Sequence, residues 1–402
     1  MVSVLTKSFG LEHIEIAEDI VSDTFLLALD SWPYKGVPPN PTAWLYTVAK
    51  NKTKNHLTRQ DTFQKKVAVN SAPVNDAHEI QIDFSDKNIA DSQLQMLFAF
   101  CHPSLSPEAQ ISLALRILCG LGLNEIADAF LTSKETIHKR LQRARKKLNT
   151  EKIQLEMPDI HQIEKRLATV LHTIYLLFSE GYYSESNKAI IREELCIEAL
   201  NLTYLLLGNP LTNNHATNSL MALLCFQSSR LGARKSEIGE IVLYDDQAKS
   251  RWDTAFIEKG FYYLRQASQW ATTSKYYIEA SIAYWYTVDD GHSDKWKSVL
   301  NLYDLLIAID GSPVIRLNRI WAYFKVNGAK AAIETAEEMG LENNHFYFML
   351  LAELYLQVDP FKSMEHYQQA YFLCKNSTEK KMILKKIHLV NETQLSDRNS
   401  ME

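Results

Sequence analysis

The stretch Leu121–Asn149, LGLNEIADAFLTSKETIHKRLQRARKKLN, constrains the fold more than any other. It holds two short helical patterns with a tight break between them. In the first, Leu123, Ile126, Ala127 and Phe130 recur at helical spacing and form one apolar face. Gly122 is placed to cap it, and Glu125 sits at the third helical position, where a carboxylate meets the positive end of the helix dipole. Leu131-Thr132-Ser133 is the break, and Ser133 is a good N-cap for the second helix. There Ile137, Leu141, Ala144 and Leu148 make the apolar stripe. The other faces carry Lys134, Lys139, Arg140, Arg143, Arg145, Lys146 and Lys147 against one acid, Glu135. A helix, a short turn and a basic second helix have the form of a helix-turn-helix. In a DNA major groove, Ser133, Lys134, Glu135, Thr136, His138 and Lys139 would face base edges. Arg140, Arg143 and the run Arg145-Lys146-Lys147 would hold phosphates. A plain surface helix with a solvated charge run is the competing reading, but cap, break, stripe and basic face agree with each other.

Charge localises this feature. The 402 residues carry a net charge of −5, which argues against a general nucleic-acid coat. Residues 1–150 hold 17 Lys and Arg against 16 Asp and Glu, so the acidic excess lies beyond them and any basic surface is local to the first part. The length predicts two or three domains. Hydrophobic residues at 46% and charged residues at 23% suit a soluble globular chain. Five scattered cysteines without a CxxC pair fit a reduced, cytoplasmic compartment. No apolar run reaches the ~18 residues of a membrane span, and no signal-peptide pattern opens the chain. With few Gly and Pro and no strand-like alternation, an all-α protein is expected.

Residues 11–31 read as one helix. Ile14, Ala17, Val21, Thr24 and Ala28 form its stripe, Ile20 and Leu27 widen it, and Glu15, Glu18, Asp19 and Asp23 make an acidic face, either solvated or docked on a basic partner. The segment 32–41, WPYKGVPPNP, is predicted as a rigid non-helical loop bearing Trp32 and Tyr34. A helix then starts at Pro41 or Thr42, with Trp44, Leu45, Val48 and Leu57 inward. Lys50, Asn51, Lys52, Lys54, Asn55, His56 and Arg59 line its other side. A basic, amide-rich face behind an aromatic loop suits single-stranded or melted DNA, where bases stack on rings and cations follow phosphates. A wet basic face over a core Trp is the equal alternative. Residues 61–92 lack periodicity and carry Asp76, Glu79, Asp83, Asp86 and Asp91, which reads as an acidic linker. Helical pattern returns at Leu94, and Ser106-Pro107-Glu108 starts a helix whose Ile111, Leu113, Ala114, Leu115, Ile117 and Leu118 underlie the helix-turn-helix.

Beyond Ile160 the pattern is a succession of amphipathic helices: 160–180, 190–207, 214–229, 249–270, 275–286, 294–309, 313–326, 329–339, 344–357 and 360–374. The break at Asn327-Gly328 recurs at Asp359-Pro360, near the ~34-residue tetratricopeptide period. An α-solenoid with a concave surface follows, with Tyr303, Tyr323, Tyr355 and Tyr367 as core between helices. Such a surface suits a protein or peptide ligand. His161, His172 and His215 show no metal spacing, and no metal or cofactor is expected. Glu180-Gly181-Tyr182-Tyr183 and Asp245-Asp246-Gln247 read first as caps and interhelix hydrogen bonds, with a regulatory pocket as the alternative. No nucleophile motif, P-loop or carboxylate pair suggests catalysis, so the chain is not expected to be an enzyme.

The combination of an acidic amphipathic helix, a WP…GxPxNPxAWL loop, a basic helix, an acidic linker and EIADAF in a helix-turn-helix resembles the extracytoplasmic-function (ECF) sigma factors of bacterial RNA polymerase. It is most similar to the group with a long tetratricopeptide-like C-terminal extension. LFAFCHP (97–103), LALRIL (113–118), ATVLHTIYLLFSEGY (168–182), DQAKSRWD (246–253) and SPVIRLN (312–318) extend the resemblance over almost the whole chain. It implies a sigma region 2 over 1–60, a linker over 61–92 threading the polymerase cleft, a region 4 over 93–150 and a helical regulatory domain over 157–402. Under it Asp19, Ile20, Asp23, Phe25, Leu26 and Leu29 would dock on the β′ clamp of core polymerase. Trp32, Tyr34, Trp44, Lys50, Asn51, Lys54, Asn55 and Arg59 would serve −10 recognition and melting, and the helix from Ser133 would read the −35 element. Two departures stand out. Family members carry a further helical stretch before the one beginning here near Leu5, so a shortened region 2 is one expectation. Thr58-Arg59-Gln60 replaces an Arg-Arg ending, which would cost one or two phosphate contacts. The alternative function is a helix-turn-helix activator with a helical-repeat sensor; it would not need the aromatic loop and basic helix at 32–59.

Overall fold

The computed structural model describes residues 1–67, 82–130, 132–182, 192–234, 242, 244–270, 272–288, 291–375 and 377–399. Among them every regular element is helical. The chain divides into two compact units, Met1–Leu176 and Leu177–Glu402.

The first unit opens with α1 (Val2–Phe9), a 3-10 turn and α2 (Ile14–Lys35). Val4 and Leu5 of α1 pack with Ala17, Ile20 and Ala49 in one buried cluster, which also takes in Ile82. The loop predicted at 32–41 is shorter than expected. Trp32, Pro33, Tyr34 and Lys35 form the last turn of α2, and Gly36 ends it at φ 82°, donating its N–H to the Trp32 carbonyl at 2.9 Å. Pro33 forfeits one amide donor and stands within a turn of the end, where that loss disrupts least. α3 (Pro41–Val67) starts under the Asn40 cap, whose side chain accepts from the Ala43 N–H at 2.9 Å. Among its described side chains Ala49 and Thr53 are buried, and Trp44, Leu45, Val48 and Leu57 are half-buried.

α3 runs seven residues into the predicted linker, and α4 (Asp86–Phe100) begins before the linker's expected end. Asp76 and Glu79 lie outside the described residues. The last part of that segment is anchored: Ile82 is buried, and Phe84 stacks on Tyr46 at 4.5 Å. Met96 to Cys101 are buried without interruption. α5 (Pro107–Leu113) has Ser106 as cap and Pro107 at its first position, and continues into a π-helical turn, Ala114–Leu118. α6 (Leu123–Ala129) and α7 (Lys134–Thr150) follow. α8 (Ile160–Tyr182) belongs to this unit as far as Leu176. Its Arg166 donates to the Phe98 carbonyl, and its Thr173 hydroxyl accepts from the Cys101 thiol at 3.6 Å. Burial pushes that thiol up to about 12, so it stays a donor.

The second unit contains α9 (Glu193–Leu207), α10 (His215–Ser228), α11 (Thr254–Ala267), α12 (Lys275–Thr287), α13 (Lys295–Ile309), α14 (Pro313–Asn327), α15 (Ala329–Glu337), α16 (His345–Tyr355), α17 (Pro360–Leu373) and α18 (Ser377–Asn399). Each packs on its neighbour in sequence, which is a helical solenoid. Side-chain caps from Asn214, Asp253, Ser274, Asn344 and Asp359 set five of the starts. Tyr303, Tyr355 and Tyr367 are buried between helices, and Tyr323 packs against the cluster around Leu317 and Leu354. Two of these buried phenols are satisfied by carboxylates, Tyr367 by Glu353 at 2.7 Å and Tyr355 by Glu337 at 2.5 Å. α10 and α11 cross so closely that a Cβ on Gly260 would lie 2.7 Å from the Phe226 ring. α18 was not predicted; its Lys-rich sequence gives a weak apolar stripe, of which Ile383 and Val390 are buried.

One buried acid makes this unit pH-sensitive. Glu279 on α12 stands 3.9 Å from the Lys275 ammonium, which prefers Asp310 at 2.6 Å. Burial raises the Glu279 carboxyl to about 7 from an ordinary 4.5. The folded chain therefore holds a proton that the unfolded chain releases. The associated stability is present below about 4.5 and is lost as pH rises through about 7. Thermal unfolding of the Glu279→Gln variant between pH 5 and 8 is expected to lose this dependence, a difference on the order of 3 kcal/mol in favour of the variant at pH 8.

Candidate nucleic-acid interface

The second helix of the helix-turn-helix is built as its local chemistry dictates. Ser133 accepts from the Thr136 N–H at 3.2 Å and starts α7. Glu125 reaches back to accept from the Gly122 N–H at 2.6 Å, half of a capping box for α6. Ile137, Leu141, Ala144 and Leu148 are all buried, against α5 and α6. The opposite face follows from that burial. Lys134, Glu135, Thr136, His138, Lys139, Arg143, Lys146 and Lys147 are exposed. Backbone and Ser133 hydrogen bonds at the helix start hold the Glu135 carboxyl below its usual range, so it is an acceptor near neutrality.

Between the loop before α5 and this face lies a groove of about 540 Å³. Ser104, Leu105, Ser106 and Ala109 line one side, and Thr136, Lys139, Arg140, Arg143, Ala144 and Lys147 the other. Four cations around one concavity make a strong anion-attracting surface. Arg140 is fixed in place: its guanidinium lies 4.7 Å over the Phe130 ring and donates to Ser112 Oγ at 3.4 Å. Arg145 departs from the expectation that it holds phosphate. It turns inward to Glu15, at 3.0 Å, and to Glu18 of α2, and Arg116 donates to the other oxygen of Glu18 at 3.0 Å.

The residues expected at −10 DNA gather around the end of α2 and the start of α3. Trp32 and Trp44 pack edge to face at 5.6 Å, both half-buried. Tyr34 stands out at 90% exposure on the last turn of α2. Lys50, Asn51, Lys54 and Asn55 share one accessible face of α3, while Lys52 is held by Asp23 at 3.2 Å. Arg59 is on the same helix, but its side chain lies outside the described residues.

Of the residues expected to dock on polymerase, Asp19, Asp23, Phe25, Leu26 and Leu29 are exposed, Leu29 at 70%. Ile20 is not: it is buried in the α1–α3 core, because a residue four positions before Thr24 shares its inward face. Leu27, predicted as core, is exposed beside Leu26 instead. Both residues sit at the margin of the stripe, and the acidic pattern alone did not resolve which side each would take.

In the second unit the stretches read as caps and interhelix hydrogen bonds join separate segments: the Gly181 carbonyl accepts from the Arg192 N–H at 2.9 Å, and Gln247 Nε2 donates to the Val242 carbonyl at 3.2 Å. The Asp253 side chain caps α11, and its backbone N–H donates to the Ser229 carbonyl at 2.8 Å. Tyr182 is buried beneath the Arg234 guanidinium at 3.9 Å, and Arg230 donates to its hydroxyl at 3.4 Å. The buried Lys295 donates to Tyr244 Oη at 3.0 Å and to the Val288 carbonyl at 2.8 Å. Sequence reasoning missed these cations, since their aromatic partners lie tens of residues away. Tyr183 lies outside the described residues.

Comparison with known proteins places these features. Residues 3–63 match the family described as Sigma-70 region 2, and residues 95–148 match Sigma-70, region 4. The chain belongs to the sigma-70 family, as an ECF-like sigma factor with a C-terminal extension. Residues 166–268 of the extension match a family of unknown function (DUF6596). A protein of Rhizobium meliloti (strain 1021), named as uncharacterized, is 31% identical over 342 residues, 84% of this chain and 80% of that protein. No solved structure matches. As a sigma factor the chain serves promoter recognition, with core RNA polymerase and promoter DNA as its partners. The region 2 match removes the activator reading, which had no use for residues 32–59. Among the described residues no helix is long and apolar enough to cross a membrane.

Replacing Lys139 and Arg143 together by Ala is expected to weaken promoter DNA binding by on the order of tenfold at physiological salt. The slope of log K against log salt should fall by roughly 0.9, for the one phosphate that Arg143 no longer neutralises. Arg145→Ala is expected to leave that slope unchanged and to lower the unfolding temperature, because it strips a partly buried pair. Fluorescence anisotropy across a salt series, with thermal unfolding alongside, separates the two.

Proposed function

We propose that this sigma factor reads its −35 element with α7. Ser133, Lys134, Glu135, Thr136, His138 and Lys139 face the base edges, and Arg140 and Arg143 hold the flanking phosphates. The observation that carries this is the preformed helix-turn-helix whose exposed face is basic and whose Arg140 is already immobilised by Phe130 and Ser112. Preorganised cations lose less conformational freedom on binding.

The −10 element and the melted strand lie along Trp32, Tyr34, Trp44, Lys50, Asn51, Lys54, Asn55 and Arg59. Tyr34, the exposed ring, offers the stacking surface, while Trp32 and Trp44 brace the turn beneath it. The exposed apolar side chains Phe25, Leu26 and Leu29, flanked by Asp19 and Asp23, dock on the β′ clamp. An exposed apolar patch on one helix rimmed by acids fits a protein partner carrying basic residues. The division of labour is a region 2 over 1–60, a linker over 61–92, a region 4 over 93–150 and a helical domain beyond 157, all in the cytoplasm. That last domain, TPR-like in its helix pairing, controls the factor in cis or through a protein or peptide held on its concave surface.

Transcription reconstituted with core RNA polymerase and genomic DNA tests the reading. Start sites are expected that appear only when this protein is present. A chain ending at Tyr182 keeps all of α8 and so keeps the first unit's Arg166 and Thr173 contacts. Any change in its start-site usage measures what the solenoid does. Leu26→Asp with Leu29→Asp is expected to abolish core binding while leaving the DNA affinity of the isolated factor intact. Core binding that survives those charges would remove α2 from the docking surface.

A further inference from the structure

Three side chains from three helices converge at the last helix of the solenoid. His345 opens α16, Cys374 ends α17, and Glu379 lies in the first turn of α18. His345 Nε2 is 3.0 Å from Glu379 Oε2, and Cys374 Sγ is 3.5 Å from the same oxygen. The three donor atoms lie within 4.8 Å of one another. Among the described residues this is the one group of His, Cys, Asp or Glu so arranged. Cys374 is 2% exposed, whereas the side chains of His345 and Glu379 are 21% and 26% exposed. The thiol side is sealed and the opposite side is open to water.

We propose that His345, Cys374 and Glu379 bind a divalent transition-metal ion of the zinc class, and that this ion pins α18 to the solenoid. Zinc bonds of about 2.0–2.3 Å at tetrahedral angles place donor atoms roughly 3.3–3.7 Å apart, so the cluster needs only small side-chain adjustments. The donor set selects the ion. A thiolate and an imidazole suit zinc-class ions and are poor ligands for magnesium or calcium, which take oxygen. Charge balances as well: thiolate and carboxylate together neutralise a divalent ion next to a buried wall.

Without the ion, Glu379 Oε2 accepts from the imidazole N–H and from the thiol S–H. On binding, the metal takes the place of both hydrogens. The thiol proton leaves to solvent, and the neutral imidazole changes tautomer, its one proton passing through solvent from Nε2 to Nδ1. The fourth position faces the open side, where water completes the shell. A His–Glu ion pair with a thiol packed beside it is the alternative account, and the two differ in what they do with metal.

The test uses the full, reduced chain stripped with a chelator and titrated with cobalt(II), whose thiolate complexes show a charge-transfer band in the near ultraviolet. One equivalent is expected to produce the band, release one proton and be displaced by zinc. Cys374→Ser should abolish the band. His345→Ala and Glu379→Gln should each weaken binding by more than about tenfold, since loss of even an outer-shell partner costs that much. Cys119→Ser serves as the control and should change nothing, while Cys101, Cys196 and Cys225 are held as thiols by burial that pushes each up to about 12. If Cys374→Ser fails to fold, the zinc-induced rise in unfolding temperature decides: it should be present in the native chain and absent in Glu379→Gln. No band at millimolar cobalt, a band that survives Cys374→Ser, or affinity unmoved by both the histidine and glutamate changes would overturn the site.

Discussion

Ile137, Leu141, Ala144 and Leu148 leave water together, and that burial orients α7. A 17-residue helix with so many like charges has little reason to fold alone, since its cations repel one another and its length is near the margin for an isolated helix. Packing of the four apolar side chains on α5 and α6 supplies the stabilisation, of order 1.5–3 kcal/mol for each large side chain. It also decides which residues face outward. Because the stripe is narrow, nearly every cation is forced onto the solvent side. The charge repulsion is relieved there by a polyanion, so the same geometry that strains the free helix favours DNA.

Arg145 is the exception, and it shows how α7 is joined to α2 within the first unit. It and Arg116 both address Glu18 on α2. Two arginines would ordinarily pull a carboxylate below its usual range. Burial outweighs them, and the Glu18 carboxyl lies above it. The net stabilisation from such a desolvated cluster is therefore small, although removing one member leaves an uncompensated charge and costs far more. The contact fixes register between α2 and α7 more than it adds stability. Glu15, mostly exposed, adds a screened contribution only.

Local chemistry was legible in the sequence and long-range pairing was not. Ser106 and Ser133 could be assigned as caps because a cap acts within three residues. Most solenoid helices could be placed to within two or three residues because apolar spacing repeats within each; the one expected at 249–270 is instead a 3-10 turn, Lys249–Arg251, followed by α11 at Thr254–Ala267. Pro33 misled, because proline forbids a helix interior but not a final turn. Ile20 and Leu27 both sit near the edge of the same stripe, and only the arrival of α1 and Ile82 decides that Ile20 is covered, and so not a docking residue, while Leu27 is exposed. Arg145 looked like its neighbours Lys146 and Lys147; its acid partners are 127 and 130 residues away. α18 escaped because its apolar stripe is weak, and the His345, Cys374 and Glu379 cluster escaped for the same reason as Arg145. Their spacings of 34 and 5 residues match no local ligand motif and become a site only when α16, α17 and α18 pack.

The second unit uses its cations differently from the first. Arg230 lies against the rings of Tyr244 and Tyr286, Arg234 over Tyr182, and Lys295 against Tyr244 and Trp296. These positive charges are placed inside, on aromatic faces and carbonyls, where they hold helices together. The sequence beyond residue 150 is already acidic in balance, so drawing cations inward leaves its surface more negative still. Such a surface repels DNA at distances up to about a Debye length, roughly 8 Å at physiological salt.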